Sequence, residues 1–180
     1  MKEVIEGLFV GDENDFYSSL LCTYEPVKSE MEILMNMPEG WAVCHACKEP
    51  FHRMALQYTG RGAPKEHPEY LWSERIGNRL AMNIVDAPKS IFFDKGMIDK
   101  ALDFIHQKRN QGLKVLVHCN EGFSRSPSIA LLYLIKHRLI KGETLEDVEA
   151  EFLKLYPSYN PGAGMRGFVK ENWNYYNAPF

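Results

Sequence analysis

The sequence predicts an α/β protein with a mainly parallel central sheet flanked by helices. Three observations carry this. Short apolar runs that read as strands alternate with longer segments whose apolar residues recur at helical spacing, the pattern of a parallel sheet with crossover helices. The run Lys114-Val115-Leu116-Val117 is followed closely by Ser126-Pro127 and a strongly apolar segment, 129–135. That is a strand, a tight loop and a helix start, where the missing N–H of a proline costs nothing. Finally, 180 residues with 45% hydrophobic and 12% aromatic content are enough for one sizeable core. The chain shows no repeat, low-complexity tract or second composition, so residues 1–180 read as a single domain.

Residues 4–11, Val-Ile-Glu-Gly-Leu-Phe-Val-Gly, read as a strand pair broken at Gly7, or one bent strand. Residues 12–21 suit a short helix with Phe16 and Leu20 at i, i+4 spacing. Periodicity is weak from Thr23 to the Pro38-Glu39-Gly40 turn. Residues 41–47 read as a buried strand. Pro50, Gly60, Gly62 and Pro64 make 48–65 mostly loop, and 67–72 continues irregularly. A strand is expected at 79–85 and a helix at about 94–111, with Asp94 at its N-cap and Gly112 as its stop. The helix at 126–137 is apolar nearly all round, which implies a central, buried position. Thr144-Leu145-Glu146-Asp147 resembles a capping box opening another helix that ends at Tyr156-Pro157. Met165, Phe168, Val169, Trp173 and Tyr176 mark a last amphipathic helix.

Chemistry concentrates in Val117-His118-Cys119-Asn120-Glu121-Gly122-Phe123-Ser124-Arg125-Ser126. Backbone N–H groups of a loop entering a helix converge on an anion, and the helix dipole favours negative charge there. Arg125 adds a planar fork of donors that matches phosphate oxygens. The same positive field favours a thiolate: such sites lower a thiol pKa from about 8.5 to roughly 3.5–7.5. One loop would bind an oxyanion and hold the Cys119 nucleophile against it.

This stretch, His118-Cys119-x-x-Gly122-x-Ser124-Arg125-Ser126, closely resembles the signature of the cysteine-based protein tyrosine phosphatases. Its Glu-Gly-Phe-Ser-Arg-Ser-Pro wording is most similar to the dual-specificity branch. The resemblance runs from about Arg79 onward, is thinner at residues 7–11, and fails over about 22–78, which reads as an insertion atypical of the family. It implies that Cys119 attacks a phosphomonoester to give a phosphocysteine, with the N–H groups of residues 120–125 (Asn120, Glu121, Gly122, Phe123, Ser124) and the Arg125 guanidinium holding the phosphoryl oxygens. His118 would orient the loop and keep Cys119 ionised, and Ser126 would assist departure of the sulfur. A leaving oxygen needs a proton; the family draws it from an upstream Asp, here Asp86, with Asp94 as the rival. No cofactor is implied.

The implied substrate is a phosphorylated protein. Competing readings are a phosphoinositide, an RNA 5′-phosphate end, or a phosphoprotein-binding module without catalysis. The loop interior carries no Lys and one acid, which disfavours highly anionic substrates. Net charge is −3, which gives no case for nucleic-acid or membrane binding. The N-terminus lacks the apolar core of a signal peptide, and four cysteines with one needed as a thiolate suit a reducing compartment, so the cytoplasm is expected. Cys44-x-x-Cys47-x4-His52 raises a zinc knuckle, although strand alternation would point Cys44 and Cys47 to opposite faces. Either cysteine is also a candidate disulfide partner for Cys119, and the commoner reading of both is packing. The basic residues Arg53, Arg61, Lys65 and Arg75 either flank the site or form a solvated surface.

Overall fold

The computed structural model describes residues 1–178. Six strands form one sheet: β1 (Lys2–Ile5), β2 (Leu8–Gly11), β3 (Trp41–His45), β4 (Trp72–Arg75), β5 (Arg79–Met82) and β6 (Lys114–His118). Their order is β1-β2-β6-β3-β5-β4. The four central strands run parallel, and the edges β1 and β4 are antiparallel to their neighbours. Seven helices are present among the described residues: α1 (Glu30–Asn36), α2 (Arg53–Leu56), α3 (Lys95–Asn110), α4 (Arg125–Lys136), α5 (Leu145–Leu155), α6 (Ala163–Glu171) and α7 (Trp173–Tyr176). Wider helical turns occupy Asp15–Leu20 and Lys48–His52, and a tight one Ser90–Phe92.

α3 packs on β3, β5 and β6, and beside it α4 packs on β2 and β6. α5, α6 and α7 then cover α4, so every residue from Arg125 to Ile135 is buried. That explains why α4 has no polar stripe. Each fully buried Leu or Ile there contributes about 1.5–3 kcal/mol. The Asp94 carboxylate accepts from the Met97 N–H at 2.8 Å and starts α3. Thr144 and Asp147 bond each other's backbone N–H, both at 3.1 Å, and start α5. The largely buried Arg79 donates to Glu30 at 2.5 Å and ties α1 to β5.

The segment 22–78 supplies α1, the interior strand β3, α2 and the edge strand β4. Several boundaries differ from the sequence expectation. The strand expected over 41–47 ends at His45, and that over 79–85 at Met82. The expected loop 48–65 begins with helical structure through Leu56. β4 carries no β-branched residue and pairs on one side only, so local propensity does not announce it. The expected last helix is two short ones that break at Asn172.

Candidate active site

β6 ends at His118, in register with Gly11 of β2 and His45 of β3. The chain then turns through 119–124 and enters α4 at Arg125. The loop therefore lies at the carboxyl ends of the parallel strands, where open α/β sheets bind ligands. The turn depends on Gly122. Its φ is +76°, and a Cβ there would lie 3.0 Å from Asp12 Cβ and 3.2 Å from the Gly11 carbonyl carbon. Only glycine accepts both the left-handed backbone and the close approach of the β2 terminus.

Cys119 is 1% exposed. Its Sγ accepts from the Gly122 N–H at 3.3 Å and lies 3.2 Å from the Ser126 hydroxyl. That hydroxyl has a second acceptor, the Gly11 carbonyl, at 3.0 Å. Arg125 donates from Nη2 to Asn120 Oδ1 at 3.0 Å and from Nη1 to the Ile84 carbonyl at 3.4 Å. Its Nε is buried with no hydrogen-bond partner. An unmatched guanidinium N–H on the residue that closes this loop fits an oxyanion.

The loop is anchored from outside. Asn120 Nδ2 donates to Glu13 Oε2 at 2.8 Å and to the Glu49 carbonyl at 2.9 Å. Ser124 Oγ donates to Asp86 Oδ1 and accepts from the Gly162 N–H, each at 3.0 Å. The Tyr156 hydroxyl donates to the Gly122 carbonyl at 2.9 Å, and the Asn160 N–H to the Phe123 carbonyl at 2.8 Å. Glu13, Tyr156 and Asn160 escaped the sequence reading. Nothing local marks them, because their partners lie far away in the chain.

The structure brings Cys119, Asn120, Gly122, Ser124, Arg125, Ser126 and Asp86 together. Glu121 points outward and is exposed. Asp86 is exposed, so its carboxyl can meet a ligand while touching the loop. Its rival Asp94 is committed to capping α3. His118 is fully buried, and burial is the main cause that pushes its pKa down to about 3. Burial thus disfavours a positive charge on the ring next to Cys119.

The zinc candidates do not converge. Cys44 Sγ faces Met82 Sδ at 3.5 Å, and burial pushes its thiol up to about 12. Cys47 is buried on the side of Arg125 and Cys119, and burial holds its thiol well above the usual range. His52 Nε2 meets the Glu69 carbonyl at 3.0 Å. Among the described residues no group of three His, Cys, Asp or Glu could hold a metal ion. Arg53 is held by Glu49 and two carbonyls, and Arg75 by Glu69 and the Ala55 carbonyl. Both serve the local fold.

A buried sulfur, a buried guanidinium and an inward-facing hydroxyl around one loop are the groups the sequence leads one to expect of a cysteine phosphatase. Comparison with known proteins agrees. The family model described as dual specificity phosphatase, catalytic domain, matches residues 78–149. The chain is 57% identical over 37 residues to human dual specificity protein phosphatase 5, covering 21% of this chain and 10% of that protein. It is 39% identical over 67 residues to dual specificity protein phosphatase 1 of Arabidopsis thaliana, covering 37% of this chain and 32% of that one. These matches thus span a third or less of the curated relatives. The structure resembles that of human tyrosine phosphatase-like serine/threonine/tyrosine-interacting protein, with a TM-score of 0.62 and 20% identity over 99% of this chain and 98% of that chain. It also resembles DUSP15, with a TM-score of 0.58 and 22% identity over 98% and 89%. These last likenesses establish the fold. The chain is thus similar to the dual-specificity branch of the cysteine-based protein tyrosine phosphatases, in sequence over residues 78–149 and in fold over nearly its whole length.

Proposed function

We propose that the protein hydrolyses phosphomonoesters on protein side chains through a phosphocysteine. The observation that supports this best is the convergence of Gly122 N–H and Ser126 OH on Cys119 Sγ, in a loop whose closing Arg125 keeps its Nε unmatched. Cys119 Sγ attacks phosphorus as the bond to the leaving oxygen breaks. Asp86 gives that oxygen its proton. The loop N–H groups and Arg125 hold the charge that moves onto the phosphoryl oxygens. Water then attacks phosphorus, Asp86 takes its proton, and the sulfur departs as a thiolate stabilised by Ser126. The chemistry needs Cys119 reduced, which suits the cytoplasm.

The test is hydrolysis of a generic aryl phosphate without added metal, by wild type and by Cys119→Ser. Wild-type turnover that the substitution abolishes is the expected result. An inactive wild type that still binds phosphopeptide would replace this reading with that of a binding module.

A further inference from the structure

The side-chain amide of Asn120 stands where three segments of the chain meet. Its Nδ2 donates to Glu13 Oε2 at 2.8 Å, just after β2, and to the Glu49 carbonyl at 2.9 Å, just after β3. The Glu13 N–H donates back to the Asn120 backbone carbonyl at 3.4 Å. On the other side of the amide, Oδ1 accepts from Arg125 Nη2 at 3.0 Å. Among the described residues that is the shorter of the two hydrogen bonds the guanidinium makes. The other, from Nη1 to the Ile84 carbonyl, is long at 3.4 Å, and Nε makes none. Arg125 is buried, so solvent does little to hold it.

An arginine only donates, whereas a carboxylate and a carbonyl only accept. A side chain that joins them must accept on one side and donate twice on the other. The planar amide does this with both of its N–H groups in use. Its direction is forced: turned over, its NH2 would face the guanidinium and its oxygen would face two acceptors. An ionised carboxyl group has no N–H to offer Glu13 or Glu49, and a hydroxyl has a single proton. The amide is also neutral. It restrains the guanidinium without cancelling the positive charge that an oxyanion needs, as a carboxylate in its place would.

We infer that Asn120 is a positioning residue for Arg125: its amide ties the guanidinium to Glu13 and to the Glu49 carbonyl, and so keeps the unmatched Nε–H available to an oxyanion. A long side chain loses rotamer freedom when it is held. The tie meets that cost before the anion arrives, which is preorganisation. Through Glu49, the segment 22–78 reaches the arginine that closes the loop. The inference rests on the proposed function only in that the loop binds an oxyanion. Its test reads anion affinity in a protein that hydrolyses nothing as well as in one that does.

The experiment measures binding of inorganic tungstate, a phosphate-shaped oxyanion, by titration calorimetry at fixed salt. Asn120→Ala should weaken binding about tenfold. Added to Arg125→Lys, whose ammonium has no planar fork to align, it should cost less than about twofold more. Losses of equal size in the two backgrounds would make the amide a brace for the loop alone and overturn the inference. An unchanged affinity for Asn120→Ala would overturn it too, and so would a wild type that binds no tungstate. A second pair of variants serves if Asn120→Ala does not fold. Glu13→Gln and Glu13→Ala remove the same charge, but only the first keeps an oxygen for the Asn120 N–H. Glu13→Ala should bind tungstate about threefold more weakly than Glu13→Gln, and the two should bind alike in Arg125→Lys. A difference that persists in that background, or no difference with Arg125 in place, refutes the tie.

Discussion

Removal of the Ser126 hydroxyl should separate the two chemical steps. The hydroxyl has one proton and two acceptors, Cys119 Sγ at 3.2 Å and the Gly11 carbonyl at 3.0 Å. When the sulfur is a thiolate, it is the stronger acceptor. A hydrogen bond to a charged group contributes about 1.5–3 kcal/mol. In the first step that bond stabilises the attacking thiolate before the transition state, so its loss has little effect on the rate. In the second step the sulfur becomes charged as it leaves, so the loss falls on the barrier. At about 1.4 kcal/mol per tenfold, Ser126→Ala should slow breakdown of the phosphoenzyme by about 10- to 150-fold. Stopped-flow release of nitrophenol should then show a burst matching the enzyme concentration, followed by a slow steady state. The Gly11 carbonyl also loses its donor, which costs about 1–3 kcal/mol of stability. A variant that slows both phases equally, without a burst, would refute this division of roles. So would a wild-type steady state.

Further outcomes follow from the same geometry. Asp86→Asn should reduce turnover of alkyl phosphates by about 100-fold or more while sparing activated aryl esters; equal losses on both would remove Asp86 as the acid. Gly122→Ala should lower Tm by about 2–8 °C, since a left-handed Ala costs about 1–2 kcal/mol and its Cβ would press on Asp12; an unchanged melting curve would contradict the close approach. Under peroxide, Cys119 should oxidise to a sulfenic acid and condense with the Cys47 thiol, losing water. Peptide mapping should find this disulfide in Cys44→Ser but not in Cys47→Ser, and finding only sulfinic or sulfonic Cys119 would defeat it. The buried imidazoles also give a pH dependence. The pKa of His118 falls from 6.5 unfolded to about 3 folded, so the unfolded state binds a proton that the folded state refuses. This contribution is full above pH 6.5 and is lost as pH falls towards 3. Urea unfolding at stepped pH should show that decline, and a double His45→Phe, His118→Phe variant should flatten it.

Much of this was legible in the chain because it is local. The strand at Lys114–Val117, the Cys119–Arg125 loop and the apolar α4 each declare themselves in consecutive residues. Thr144 and Asp147 do the same, since a capping box closes within one turn. What stayed hidden depends on residues distant in sequence. Glu13 matters because Asn120 reaches it, and His45 because register sets it beside His118. The Cys44-x-x-Cys47 spacing suggested a metal, but alternation at the end of β3 turns one sulfur to Met82 and the other towards Arg125. β4 hid for a related reason: an edge strand of Trp, Ser, Glu and Arg is specified by its partner β5 more than by its own composition.

The anchors of the loop also decide what could be cut away. They come from Glu13, Glu49, Asp86, Tyr156, Asn160 and Gly162. The stretch that matches the family spans 78–149 and contains only one of them, Asp86. Excised, that stretch would keep the sulfur and the guanidinium but leave the turn between them without five of its six moorings. A gene truncated after Glu149 would therefore leave the motif readable in the sequence and the loop without the moorings from Tyr156, Asn160 and Gly162.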